Sequence, residues 1–146
     1  ESVFLWGAPS DALSQHGLGG GITWALHPNF CEQMLPVFPE ASRAGTFATF
    51  LTCDDLRHAV ASGFDTWAAN HERITFHDVT ERCANMTGNT CEDAEVLVQV
   101  DPGLPESEAA KTILDVTTVD FYPRLTSGVQ LAHGLGVRRA WINVSH

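Results

Sequence analysis

Apolar residues alternate with other residues in several short stretches of the chain, and this alternation predicts β-strands. In the first stretch, Ile22, Trp24 and Leu26 lie on one face of the predicted strand. In a later stretch, valines occupy one face and Leu97 the other, so we expect that strand to be covered on both faces of a sheet. The predicted strands span 22–26, 74–79, 95–100 and 140–144.

One long helix is predicted between the first two strands, because apolar residues there recur every three or four positions. Thr52 occupies the N-cap position, and Asp55 follows three residues later, as in a capping box. We expect Phe64 and Trp67 to pack under the sheet, and Gly63 to let the sheet come close. The apolar stripe of the helix consists of Leu56, Val60, Phe64 and Trp67.

A strand, a long connection that contains a helix, and another strand form a right-handed β-α-β unit with parallel strands. The sequence therefore predicts an α/β fold: one twisted, mainly parallel sheet packed on one long α-helix. A chain of 146 residues fits a single domain. Its predicted parts are an extended lead-in at 1–21, a sheet-and-helix core at 22–100, and a loop with edge strands at 101–146. The predicted core residues are Trp24, Leu56, Val60, Phe64, Trp67, Phe76, Val96 and Val98.

The charge of the chain narrows the range of partners. Eight basic and 18 acidic residues give a net charge of −10. Such a field repels phosphate backbones and anionic lipids, so we expect no nucleic-acid partner. We also expect no membrane insertion, because no apolar run approaches the roughly 18 residues of a membrane span.

The four cysteines form no C-x-x-C pair, which disfavours a zinc or thioredoxin-like motif. An even number suits two disulfides, and we favour the sequential pairing among three possible ones. That pairing joins Cys31 to Cys53 and Cys83 to Cys91. The competing interpretation is four reduced, buried thiols.

Two N-glycosylation sequons accompany these cysteines, at Asn85-Met86-Thr87 and Asn143-Val144-Ser145. Asn85 lies in a polar loop that tolerates a bulky glycan. Asn143 lies in a predicted strand and is open to modification only if that strand is an edge with this side exposed. Together with the paired cysteines, the sequons predict a secreted, extracellular or cell-surface glycoprotein.

Several segments, taken in order, resemble the N-terminal subdomain of metzincin metalloproteases, the matrixins in particular. The segments are "GGGITWAL", a capped helix ending in "FDTWAANH", "ITFHDVT" and "AEVLVQV". They cover roughly residues 20–100 and correspond to the first strand, long helix, second strand and third strand of that family. Since the shared motifs are packing positions, the resemblance implies a metzincin-like fold more than an activity.

A second segment, "DFYPRLTSGVQLAHGLG" at 120–136, is similar to the matrixin segment that wraps a structural zinc. Asp120 and His133 fall on two of the four ligand positions, and they are the candidate metal ligands that the resemblance implies. Thr118 and Trp141 stand where the other two histidines would be. Half a ligand set makes a poor closed zinc site, so the alternative is two loop residues without a metal.

The H-E-x-x-H helix of a zinc protease does not occur in this sequence, and neither does a G-x-S-x-G elbow. We therefore predict no catalytic residues and no cofactor. The expected function is a non-catalytic structural or interaction module of an extracellular or cell-surface assembly, such as a filament or coat, with other protein subunits or copies of itself as partners. The alternative is the N-terminal half of a secreted zinc metalloprotease whose catalytic helix lies outside this chain.

Overall fold

Eight strands and two α-helices are present in the described residues of the computed structural model. The strands are Phe4–Trp6 (β1), Ile22–Leu26 (β2), Phe76–Asp78 (β3), Val96–Val100 (β4), Ala110–Phe121 (β5), Arg124–Leu125 (β6), Gly128–Val129 (β7) and Ala132–Val144 (β8). The helices are Phe30–Met34 (α1), followed by a 3-10 turn at Leu35–Val37, and Cys53–Ala68 (α2). The described residues are 4–6, 21–38, 51–70, 72, 74–105, 107–121, 124–125, 128–129 and 132–145.

Six of these strands form one mostly parallel sheet. Its order is β1-β8-β4-β2-β3, and β5 pairs with β8 outside this path. The β2–β3, β2–β4, β4–β8 and β1–β8 pairs are parallel, whereas β5 runs antiparallel to β8. The predicted α/β class with a mainly parallel sheet and one long helix is confirmed.

Hydrogen bonds between side chains and the backbone cap both ends of helix α2. The Asp55 amide donates to Thr52 Oγ1 at 3.2 Å, and the Thr52 amide donates to Asp55 Oδ2 at 2.8 Å. This is the reciprocal capping box predicted from the sequence. At the other end, Asn70 Nδ2 donates to the carbonyl of Thr66 at 2.9 Å, which satisfies one of the last carbonyls of the helix.

One face of the sheet packs against both helices. The ring of Phe64 on α2 lies 4.8 Å from the ring of Trp24 on β2 and 4.8 Å from the ring of Phe76 on β3. Val60, Phe64 and Phe76 are partly buried against this cluster. Its fully buried members are Ile22, Trp24, Leu26, Phe30, Met34, Leu56, Val96, Val98, Val100 and Ala140.

The other face is covered by the loop between β3 and β4. Leu97 and Ala25 point to this side and are 3% and 0% exposed. They pack with side chains of the loop and with Trp141 of β8. Since Val96 and Val98 are buried on the helix side, β4 is covered on both faces, as predicted. The loop members of this second cluster are Val79, Cys83, Met86, Cys91 and Ala94.

Two disulfides fix the connections that flank the sheet. Cys31 in α1 is bonded to Cys53 at the first turn of α2, and the half-cystines are 22 residues apart. Cys83 and Cys91 close the loop over the second face and are 8 residues apart. The pairing is the sequential one favoured from the sequence. Each bridge restricts the unfolded chain and thereby stabilises the fold.

Trp67 is not a core residue, and the prediction that it packs under the sheet is wrong. Its side chain is 68% exposed. The neighbouring prediction about Gly63 is also wrong, because a Cβ placed there would meet no atom within 4 Å. Both residues border a groove beside α2 that no described side chain fills. The apolar stripe of the helix is therefore wider than the part of it that the sheet covers.

The C-terminal region also differs from the expected loop with edge strands. β8 is longer than the predicted 140–144 segment, and it lies inside the sheet between β4 and β5. β5 supplies the edge instead, over twelve residues. The strand predicted at 74–79 is shorter, at Phe76–Asp78. Of the expected lead-in, Phe4–Trp6 pairs with β8 and Gly21 forms a bridge before β2, whereas 1–3 and 7–20 lie outside the described residues.

Truncation of the two aromatic side chains on α2 distinguishes the covered part of the stripe from the uncovered part. Phe64→Ala removes a ring that contacts two other aromatic rings, and we expect a loss of about 3 kcal/mol in the free energy of unfolding. Trp67→Ala, the matched change on the same helix, is expected to cost under about 1 kcal/mol. Urea unfolding followed by circular dichroism measures both. Equal losses would contradict this packing.

Candidate functional site

The two candidate metal ligands oppose each other on neighbouring strands. Asp120 of β5 is paired with His133 of β8 in the antiparallel register. Of the other two positions that the resemblance implies, Thr118 lies two residues from Asp120 on β5. Trp141 pairs with Ile113, eight residues from His133 along β8 and roughly 27 Å away at the rise of an antiparallel strand. Among the described residues, no group of three or more His, Cys, Asp or Glu side chains converges on a metal position. The side chains of Asp120 and His133 lie outside the description.

The two glycosylation candidates occupy different environments. Asn85 is exposed in the loop between β3 and β4, two residues after Cys83. Asn143 is only 4% exposed and lies on the interior strand β8. The condition set for its modification, an exposed edge strand, is therefore not met. Glycosylation at Asn85 stays a prediction.

His77 and Asp78 on β3 have different neighbours, which argues against an acid–base dyad. Gly21 packs against the imidazole of His77. Asp78 instead accepts a hydrogen bond from Arg57 Nε of α2 at 2.7 Å, an ion pair that ties the helix to the edge of the sheet. Burial alone would raise the pKa of Asp78, but hydrogen bonds from Arg57 and Thr80 outweigh it and hold this pKa below its ordinary value.

A polar cleft lies at the ends of three parallel strands. His27 and Asn29 follow the last residue of β2, Asp101 follows β4, and Asn143 lies near the end of β8. The carboxyl ends of parallel strands meet at one edge of a sheet, which is where open α/β sheets bind ligands. The cleft has a volume of about 520 Å³. Its described lining residues are His27, Asn29, Gln33, Asn89, Gln99, Val100, Asp101, Ile113 and Asn143.

A chain of hydrogen bonds fixes the floor of this polar cleft. Gln99 Nε2 donates to Asn143 Oδ1 at 2.9 Å, and Asn143 Nδ2 donates to Asp101 Oδ2 at 3.3 Å. The amide of Gly103 donates to Asp101 Oδ1 at 2.9 Å and orients the carboxylate. On the wall of the cleft, the carbonyl of Asn89 accepts a hydrogen bond from the indole of Trp141 at 2.7 Å. These polar groups are thus held in place by hydrogen bonds within the protein.

Sequence reasoning missed this cleft, although a signal for it was present. Polar side chains lie at the carboxyl ends of three predicted parallel strands. His27 and Asp101 directly follow their strands, and Asn143 lies near the end of its strand. The carboxyl-end rule would have placed them together. The interpretation of Asn143 as a glycosylation acceptor concealed its place among them. Asn89 and Gln33 carried no such signal, because the disulfide loop and α1 bring them there only in three dimensions.

An apolar groove runs along α2 on the helix side of the sheet. Its volume is about 240 Å³. Residues of α2 form one wall, and residues of β4 and β8 form the other. The lining residues are Val60, Gly63, Phe64, Trp67, Val98, Ile142 and Val144.

Comparison with protein-family models, with curated proteins and with solved structures found no match. No helix among the described residues combines the length and apolar character required to cross a membrane.

The Arg57–Asp78 pair is expected to contribute to stability in a pH-dependent manner. Because the pKa of Asp78 is lowered on folding, the contribution is present above the ordinary value of 3.8 and is lost as the pH falls through the lower pKa of the folded protein. We expect Asp78→Asn to cost about 0.5–1 kcal/mol at pH 7, since the pair is partly exposed. This cost should shrink below about pH 3.8.

Urea unfolding of wild type and variant from pH 7 to pH 2.5 measures this effect. Asp93→Asn, in an exposed loop, is the matched control and should leave stability unchanged at both ends of the range. A cost of Asp78→Asn that is independent of pH would contradict a role for the charge.

Proposed function

We propose that this chain is a secreted, non-catalytic module with a metzincin-like fold that serves as a structural or interaction unit of an extracellular or cell-surface assembly, such as a filament or coat. The observation that carries this proposal is the apolar groove along α2. A tryptophan at its rim, Trp67, is 68% exposed. Exposed tryptophans beside apolar grooves are frequent anchors of protein–protein interfaces.

The groove suits a partner protein in its chemistry. Val60 and Phe64 are only partly buried against the core, so a partner seated there would complete their burial. Ile142 and Val144 on β8 lie on the opposite wall and are likewise only partly buried. Burying such side chains releases about 25 cal/mol for each Å² of apolar surface removed from water. All described lining residues of the groove are uncharged, and Arg57 of α2 lies outside this lining.

Two disulfides support the extracellular part of the proposal. No free cysteine is left among the described residues, which include all four cysteines of the chain. Disulfides of this kind persist in oxidising compartments and are rare in reducing ones. The exposed sequon at Asn85 is consistent with that route, and N-linked glycans and other protein subunits are the partners we propose.

The order of elements supports the metzincin-like part. β2, α2, β3 and β4 follow one another along the chain as the first strand, long helix, second strand and third strand of that family do. All three strands are parallel, with β2 between β3 and β4. One arrangement of strands and helix can host many unrelated functions. The order of elements therefore bears on the fold and not on an activity.

Oxidative footprinting of the native protein tests whether the groove is an interface. In the native assembly, Trp67 should be protected several-fold from hydroxyl radicals, and dissociation into single polypeptides should restore its oxidation. Phe38, which is 41% exposed and outside the groove, is the control whose oxidation should not change. Mass spectrometry of the peptides measures both. A Trp67 that is fully accessible in every state would contradict the proposal.

The second candidate, the N-terminal half of a secreted zinc metalloprotease, is favoured by the position of the groove. Ile142 and Val144, two of its lining residues, are at the end of β8. Any segment that follows β8 would start beside the groove, and in the resembling family the active-site helix follows this strand. In that case Trp67 would remain protected after dissociation, because its cover would belong to the same polypeptide.

Metal analysis and a peptidase assay separate the two candidates. For the non-catalytic module, we expect native material purified without chelator to retain no stoichiometric zinc after dialysis and to cleave no peptide. Zinc-dependent cleavage by the native polypeptide would overturn this proposal in favour of the protease. Zinc that persists through dialysis and is lost in His133→Ala would assign a structural site to the Asp120–His133 region.

A further inference from the structure

The polar cleft at the carboxyl ends of β2, β4 and β8 is rich in side-chain amides. Five of its described lining residues are Asn or Gln, each of which offers both hydrogen-bond donors and acceptors. Sugar hydroxyls likewise donate and accept, so an amide-lined wall matches a ligand that carries several of them. The lining amides are Asn29, Gln33, Asn89 and Gln99, with the buried Asn143 at the floor.

The charge of the lining residues favours an uncharged ligand over an anion. None of its described lining residues is Lys or Arg, and Asp101 brings a negative charge. The net charge of −10 on the whole chain adds to this field. Together these charges disfavour a phosphate, sulfate or carboxylate group. A divalent cation fits poorly too, because Ca²⁺ takes six to eight oxygen ligands and Asp101 is the single carboxylate among these residues.

The floor of the cleft is prepared for hydrogen bonding. Asn143 is 4% exposed, and its bonds with Gln99 and Asp101 use one acceptor and one donor of an amide that offers two of each. Asp101 is in turn oriented by the amide of Gly103. Fixed polar groups of this kind lower the entropy lost on binding, which matters most for a small polar ligand.

An apolar contact is also available. Ile113 on β5 is 45% exposed and lines the cleft together with Val100. The C–H face of a sugar ring can pack on such side chains while its hydroxyls meet the amides. The volume of about 520 Å³ falls within the roughly 300–1,000 Å³ of small-molecule sites. We therefore propose that this cleft binds a neutral saccharide through the amides of β4, α1 and the disulfide loop.

Direct binding to neutral sugars tests the proposal. Purified protein, freed of its own N-glycans by glycosidase, is titrated with neutral mono- and disaccharides and with sulfated counterparts, and saturation-transfer NMR and calorimetry detect contact and affinity. We expect at least one neutral sugar to bind and its sulfated counterpart to bind about tenfold more weakly or not at all. Ca²⁺ alone is expected to give no heat.

Variants place the binding in the cleft. Asn89→Ala and Gln33→Ala change exposed side chains of the lining, and each should weaken binding about tenfold by removing hydrogen bonds. Asn89→Ala keeps the carbonyl that Trp141 contacts, so the fold is retained. Asn70→Ala, an exposed amide at the end of α2, is the matched control and should bind like wild type.

Three outcomes would overturn the proposal. They are the absence of binding by every neutral sugar at millimolar concentration, tighter binding of the sulfated counterparts, and undiminished binding by the Asn89→Ala, Gln33→Ala double variant. Loss of binding in Asp101→Asn with a Ca²⁺ heat in the wild type would assign the cleft to a cation instead. None of these results depends on the apolar groove, so the saccharide site stands or falls separately from the proposed assembly.

Discussion

The burial of β4 on both faces is the constraint on which the rest of the structure depends. β4 carries Val96 and Val98 on one face and Leu97 on the other. Other parts of the chain must therefore cover both faces of this parallel strand to bury its apolar surface. The crossover helix α2 provides one cover, anchored by the contact of Phe64 with Trp24. The second cover is a loop that the short Cys83–Cys91 bridge closes, and both half-cystines are buried in the same cluster as Leu97.

Local signals on the chain predicted the first of these covers well. Alternation in 22–26 and 95–100, and the Thr52 capping box, depend on residues close in sequence, so they can be recognised without a structure. β8 is different: its glycines and charged residues weaken the apolar alternation, and its long antiparallel pairing with β5 involves residues distant in sequence. An interior strand of this kind was therefore expected only at 140–144, as an edge.

The candidate sites show the same limit. Phe64 and Trp67 are three residues apart, which on a helix of 3.6 residues per turn rotates the side chains by roughly 60°. A stripe that wide does not tell which side the sheet covers and which borders the groove. The polar cleft likewise depends on three strand ends meeting, and Asn143 changes from an apparent glycan acceptor to a buried hydrogen-bonding residue once β8 lies inside the sheet.

The two open surfaces follow from how the sheet is covered. Among the described residues, α1 and α2 cover only part of the helix side of this twisted sheet. The partly buried side chains Ile142 and Val144 of β8 border the uncovered part together with the buried Val98 of β4, so the groove is apolar. At the carboxyl ends the backbone leaves the ladder, and polar residues such as Asp101 take over its hydrogen bonds. The same sheet therefore presents an apolar groove on its helix side and a polar cleft at the carboxyl ends of its strands.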